Sequence, residues 1–201
     1  MTREPQDTDL LWVDLETTGL DEQSDLLLEV GFIVTDADLI EVARASWVIP
    51  WRSPRGHLDS VRTMADPAVR DMHDANGLWV EAGVAGAFDG RAVTAWVTEH
   101  APTATLAGSS IGQFDVRWLR EWLPGVLDGR THRVADISSL REYARRWAPQ
   151  LVERVEAQAV NRKIHRVIPD LEDSIALARA WREALRLNGT ILTHALGGTP
   201  S

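Results

Sequence analysis

Cysteine is absent from the 201-residue chain, which excludes a disulfide framework, a Cys-ligated zinc and a thiolate nucleophile. Lysine occurs once, at Lys163, and tyrosine once, at Tyr143. No stretch approaches the roughly eighteen apolar residues of a membrane-spanning helix. The polar stretch Met1 to Asp9 lacks the apolar centre of a signal peptide. These absences predict a protein of the reducing cytoplasm that makes no membrane contact. Positive charge is scarce as well. Thirty acidic against twenty-one basic side chains leave a net charge of -9 at pH 7, which argues against a broad basic face holding long nucleic acid. A short nucleic acid, gripped at one end through metal, is compatible with that balance.

What is present describes a folded domain. Hydrophobic residues make up 44% and charged residues 25% of the chain, a composition that can bury a core, and the length suits a single domain. Residues 10 to 17 are rich in strand formers and end at Gly19. Apolar runs at Leu26 to Thr35 and Val42 to Trp51, broken by Asp36-Ala37-Asp38, predict two more strands in an antiparallel meander. Pro50, Pro54 and Gly56 mark a loop. Helical spacing follows over Asp59 to Met72 and over 87 to 100. A short strand at Ala104 to Ala107 leads through Gly108-Ser109-Ser110 to a helix over Phe114 to Trp122. Arg133 to Ile137 reads as a strand, with Ser138 or Ser139 capping a helix over Leu140 to Trp147, and a last helix spans Pro169 to Leu187. The expectation is an α/β domain over residues 10–187, with three initial antiparallel strands in a mixed sheet and helices packed on it, between a flexible N-terminus (1–9) and a flexible tail (188–201).

Asp14 and Glu16 lie two apart on the first strand, so both side chains leave the same face. Such a pair suits a hard cation such as Mg²⁺ or Mn²⁺, although taken alone an Asp-x-Glu on a half-exposed strand is usually only its solvated face. Asp115 opens a helix, where a carboxylate also simply complements the helix start. His165 precedes Asp170 by five residues at the head of the last long helix, and taken singly it reads as a surface residue. Trp118, Trp122, Trp147 and Trp181 fall on helices and are expected in the core. His57, His73, His100, His132 and His194 show no ligand spacing and are expected at the surface or behind the site.

The string Trp-Val-Asp-Leu-Glu-Thr-Thr-Gly-Leu (Trp12 to Leu20) closely resembles the first motif of the DEDD 3′-to-5′ exonucleases, whose domains share an RNase H-like fold. Gly-Ser-Ser-Ile-Gly-Gln-Phe-Asp (Gly108 to Asp115) resembles their second motif, and His165 with Asp170 resembles the third motif of the histidine-containing DEDDh branch. Within that branch, Asp-Leu-Glu-Thr-Thr-Gly-Leu, Ser-Ile-Gly-Gln and the stretch Asp136 to Trp147 are most similar to the oligoribonucleases. The resemblance runs over about residues 10 to 187.

The resemblance implies a phosphodiester hydrolase that releases nucleoside 5′-monophosphates from short single-stranded RNA. Its cofactors would be two Mg²⁺ or Mn²⁺ ions per site. Asp14, Glu16 and Asp170 would hold one ion, Asp14 and Asp115 the other, and His165 would be the general base. Leu20 matches the residue that wedges between terminal bases. Thr17, Ser110 and His132 are the further substrate-contact candidates. The resemblance also implies a homodimer, with the segment around His132 near the partner's active site. Four positions depart from the oligoribonuclease pattern: Ser109 replaces Asn, Phe114 is inserted before the catalytic Asp as in proofreading exonucleases, His132 replaces a tyrosine, and Ala68 stands where an aromatic is expected ahead of Met72-His73, with Trp51 or Trp79 as the candidates to compensate. Single-stranded DNA trimming is the alternative enzyme reading. An inactive nucleic-acid-binding module on the same fold is the alternative of another class.

Overall fold

A computed structural model describes residues 4–51, 58–159, 162 and 164–195, without the side chains of 58–60 and 187–195. The first three apolar runs form β1 (Leu10–Thr17), β2 (Leu27–Thr35) and β3 (Glu41–Val48), each antiparallel to the next. β4 (Thr105–Gly108) then pairs parallel with β1, and β5 (Val134–Asp136) parallel with β4, so the sheet order is β3-β2-β1-β4-β5. This is the mixed sheet expected from the sequence. The parallel pairs arise because each return to the sheet passes through helices, as a crossover requires.

Strand alternation divides the core. Leu11, Val13 and Leu15 of β1 face a layer containing Val93 and Val97 of α4 (Gly90–His100) and Trp118 and Leu119 of α5 (Asp115–Trp122). Trp12 packs on the other face, with Leu171, Ile175, Ala178 and Trp181 of α8 (Val167–Ala195). Asp14 and Glu16 share the parity of Trp12 and so emerge on the α8 face. Gly31, opposite Asp14 on β2, permits the start of α8 to lie close, since a Cβ there would stand 2.4 Å from Val167 Cγ2.

Several boundaries differ from the sequence reading for identifiable reasons. The helix expected over 59–72 is two, α1 (Leu58–Met64) and α2 (Pro67–Asn76). Pro67 keeps Asp66 out of helical geometry, and the Asp66 carboxylate caps α2 by accepting from Ala68 N at 2.8 Å. Gly77, in the left-handed region at φ 80°, turns the chain into α3 (Leu78–Val84), which the sequence did not reveal. Asp136 caps α6 (Ile137–Trp147) in place of the expected serines, accepting from Ser138 N and Ser139 N. Pro149 opens α7 (Pro149–Glu156) where it was expected only to end the preceding helix, because proline is well suited to a first helical turn. α8 continues through Asn188 and Gly189 to Ala195. The expected loop at Pro54 and Gly56 lies outside the described residues, as do 1–3 and 196–201. Among the described residues no helix is long and apolar enough to cross a membrane.

Of the helical tryptophans, Trp118 and Trp181 are buried and Trp122 partly so, as expected. Trp147 is not core. It is 75% exposed, because Ile137 and Ala144 take the inward positions of α6 and leave Tyr143 and Trp147, four apart, stacked on its outer side at 4.8 Å.

Candidate active site

The sheet delivers two carboxylates to the foot of α8. A cavity of about 690 Å³ opens there, with Asp14, Ser109, His165 and Asp170 in its wall, and continues past Ser138, Arg141 and Ser174 toward Trp181. Glu16, His165 and Asp170 each place a ligand atom within 4.8 Å of the other two. Asp115 is 3% exposed at the first turn of α5 and acts electrostatically on Asp14. Residues from β1, from the head of α5 and from the entry to α8 therefore meet at one place.

This concentration of acid, largely withdrawn from water, disfavours ionisation. Burial raises the Asp14 carboxyl well above its ordinary range, and Asp115, Glu16, Asp170 and Glu29 push it further. Glu16 is driven up to about 8 by burial and by Asp170 and Glu29, against the opposing pull of Arg166. Asp115 rises to about 7, chiefly by burial. Asp170 is raised by burial as well. Asp14 Oδ2 and Asp115 Oδ1 are buried with no hydrogen-bond partner. Orphaned carboxylate oxygens beside further carboxylates are the donor set of a hard divalent cation, which would accept their charge and hold them deprotonated.

His73 is the component that the sequence left unassigned. Far from the surface, it is fully buried on α2, packed edge-on against Trp79, with Nε2 3.4 Å from Thr17 O and 3.6 Å from Glu16 Oε2. Burial drives it down to about 4, so it is neutral near pH 7 and supports Glu16 without neutralising it. Asn76 lies 3.2 Å from His73 Nδ1, and its amide also reaches the carbonyls of Ile164 and His165. Nothing in the spacing of His73 marks it. A sharper signal was available at Glu29, an acid in the middle of the apolar run that became β2.

The substrate-contact candidates are placed differently. Leu20 is 78% exposed on the loop after β1, which is braced internally by Asp25, bonded to Thr18 Oγ1 and Asp21 N. A Cβ at Gly19 would collide with that carboxylate at 2.3 Å, so a close approach requires glycine. Arg117 and Trp122 of α5 tie the same loop down through Glu22. The Thr17 hydroxyl donates to Gly19 O at 2.6 Å and is turned inward. Ser110, left-handed at φ 62°, bonds through its backbone N to Asp136 Oδ1 and Ser138 Oγ, both at 3.1 Å. His132 is exposed in the loop before β5 and does not line the cavity, nor does Ser110. His57 lies outside the described residues, as does the side chain of His194.

No family model matches the chain. Individual relatives do. It is 34% identical to an oligoribonuclease of Aromatoleum aromaticum over 179 residues, covering 87% of this chain and 92% of that protein. It is 36% identical over 185 residues to an oligoribonuclease of Streptomyces griseus, covering 88% and 86%. Among solved structures, exonuclease I of E. coli bound to a dT13 oligonucleotide aligns over 93% of this chain with a TM-score of 0.63 at 18% identity. This chain spans 44% of that one, and at such identity the likeness concerns the fold alone, which is RNase H-like as expected. The near full-length relatives at above 30% identity place the chain in the oligoribonuclease family.

Proposed function

We propose that the protein is a metal-dependent 3′-to-5′ exoribonuclease that removes nucleoside 5′-monophosphates from short single-stranded RNA. The observation that carries this reading is the gathering of Asp14, Glu16, Asp170 and His165 at the foot of α8, with Asp115 acting electrostatically on Asp14 and one oxygen of each of Asp14 and Asp115 buried and unpartnered. These four acids would hold two Mg²⁺ or Mn²⁺ ions, in keeping with the acidity and oxygen ligands of the site. Such ions, when bound, lower the pKa of water and neutralise charge on a phosphoryl oxygen.

The remaining steps belong to the chain. His165, within reach of Glu16 and Asp170, accepts a proton from the attacking water as general base. Leu20, exposed on a loop with little freedom, wedges at the terminal bases. Thr17 shapes the turn that presents Leu20 through its bond to Gly19 O, and His132, exposed in the loop before β5, would contact the end nucleotides bound by a neighbouring copy. The net charge of -9 favours short substrates, since it repels the added phosphates of a long strand.

A second copy of the chain is the proposed partner, with the His132 segment near its neighbour's site. The exposed Tyr143 and Trp147 rings are the kind of apolar surface that such a contact would cover. Absence of cysteine is consistent with work in the cytoplasm.

The experiment is removal of one shared ligand. Asp14→Ala should abolish phosphate-ester cleavage in metal-defined buffer while the circular dichroism spectrum stays that of the unmodified protein. Undiminished hydrolysis by a pure, folded Asp14→Ala variant would overturn the two-ion reading.

A further inference from the structure

His165 is one of three described residues other than glycine with a left-handed backbone, at φ 55°. A side chain in that region strains the chain and persists only when its surroundings impose it. On one side, Asn76 Nδ2 donates to Ile164 O at 3.3 Å and to His165 O at 2.5 Å. On the other stands Arg166. Its guanidinium donates through Nε to Glu29 Oε2 at 2.8 Å and through NH2 to Glu29 Oε1 at 3.1 Å. It also donates through NH1 and NH2 to the two oxygens of Glu81, at 3.0 and 2.7 Å. Both contacts are two-pronged, which fixes orientation as well as distance.

The two acids belong to different parts of the fold. Glu29 is 3% exposed on β2 and stands directly opposite Glu16 in the β1–β2 register. Glu81 is on α3. The Arg166 carbonyl accepts from Asp170 N at 3.0 Å, so the same residue also starts the turn that carries Asp170. A buried glutamate beside an already acidic site is unfavourable unless paired. Arg166 is that pair, and in satisfying Glu29 it fastens the residue next to His165 to the strand facing Glu16.

We propose that Arg166, clamped between Glu29 and Glu81, is a positioning residue that holds the His165 imidazole at Glu16 and Asp170. This rests on His165 being the general base. The clamp acts through that base, so its loss lowers kcat and leaves KM for short RNA little changed.

A double-mutant cycle tests this. Arg166→Met combined with Glu29→Gln removes both charges and strands neither. Glu81→Gln is a milder second perturbation that leaves the buried pair in place. With His165 present, the combined variant should lower kcat by on the order of 10- to 100-fold, as a displaced reacting group does, with KM changed less than about threefold. In a His165→Ala background the same change should have almost no further effect on kcat. Glu81→Gln should show a smaller loss with the same dependence on His165. Mn²⁺ affinity by isothermal titration should be equal with and without the clamp. An equal fold-loss in both backgrounds, or a loss of Mn²⁺ affinity that accounts for the whole effect, would make Arg166 purely structural and overturn the proposal. A His165→Ala protein with the unmodified rate would instead overturn the general-base reading, and the clamp's role with it.

Discussion

Raising the pH of the metal-free protein should weaken it over a range in which most proteins hold steady. The native state raises the Glu16 carboxyl from 4.5 to about 8, so it binds a proton that the unfolded chain releases. The stability this confers is complete below about pH 4.5 and is lost as pH climbs to about 8. Asp115, raised from 3.8 to about 7, acts with the same sign, as do Asp14 and Asp170. His73 opposes them at the acid end. Lowered from 6.5 to about 4, its contribution is complete above pH 6.5 and is lost as pH falls toward 4. The clean window therefore lies between pH 6.5 and 8. There Glu16 alone accounts for a loss of about 2 kcal/mol, at 1.36 kcal/mol per pH unit. The acids share protons as a cluster, so their contributions do not simply add. For a domain of this size the loss corresponds to a decrease in Tm of roughly 4–8 °C. Differential scanning calorimetry in EDTA at pH 6.5, 7.2 and 8.0 reads it directly. Mn²⁺ should stabilise more at pH 8 than at 6.5, because it binds the deprotonated set, and Glu16→Gln should flatten the metal-free dependence. A metal-free Tm that is level or rising across the window, with an Mn²⁺ shift independent of pH, would refute the reasoning.

His165→Ala should lower kcat by about 10² to 10⁴, the span of a positioned general base; a variant keeping the unmodified rate would show another base. Sedimentation velocity should find a dimer in solution, and Trp147→Asp should shift it toward monomer. A monomer with full activity at nanomolar concentration would contradict both the dimer and a shared site.

The local pattern of β1 carried much of the fold and the site. Alternation from Leu10 to Thr17 put Asp14 and Glu16 on one face, and the structure places that face against α8, where Asp170 and His165 wait. What the sequence hid depended on contacts distant along the chain. His73 sits on α2 with no periodic or spacing signal, and its role exists only because α2 folds against the end of β1. Arg166 and Glu29 are 137 positions apart, and a strand register joins them to Glu16. Trp147 is exposed, although a helical tryptophan is usually core, because Ile137 and Ala144 take the inward positions of α6. Pro67 and Pro149 each open a helix, a role that helical periodicity across Pro67 and a stop before Pro149 both conceal.

The most direct measurement is kcat/KM across a length series of 5′-labelled oligonucleotides, from two to twenty residues, in RNA and in DNA, with Mn²⁺ and the purified protein. With a net charge of -9 and the proposed engagement of only the last few nucleotides, efficiency should be greatest on RNA of about two to five nucleotides and should not rise beyond, with a shallow salt dependence from few released counterions. A steep increase toward twenty nucleotides, or a clear preference for DNA, would contradict the assignment to short RNA.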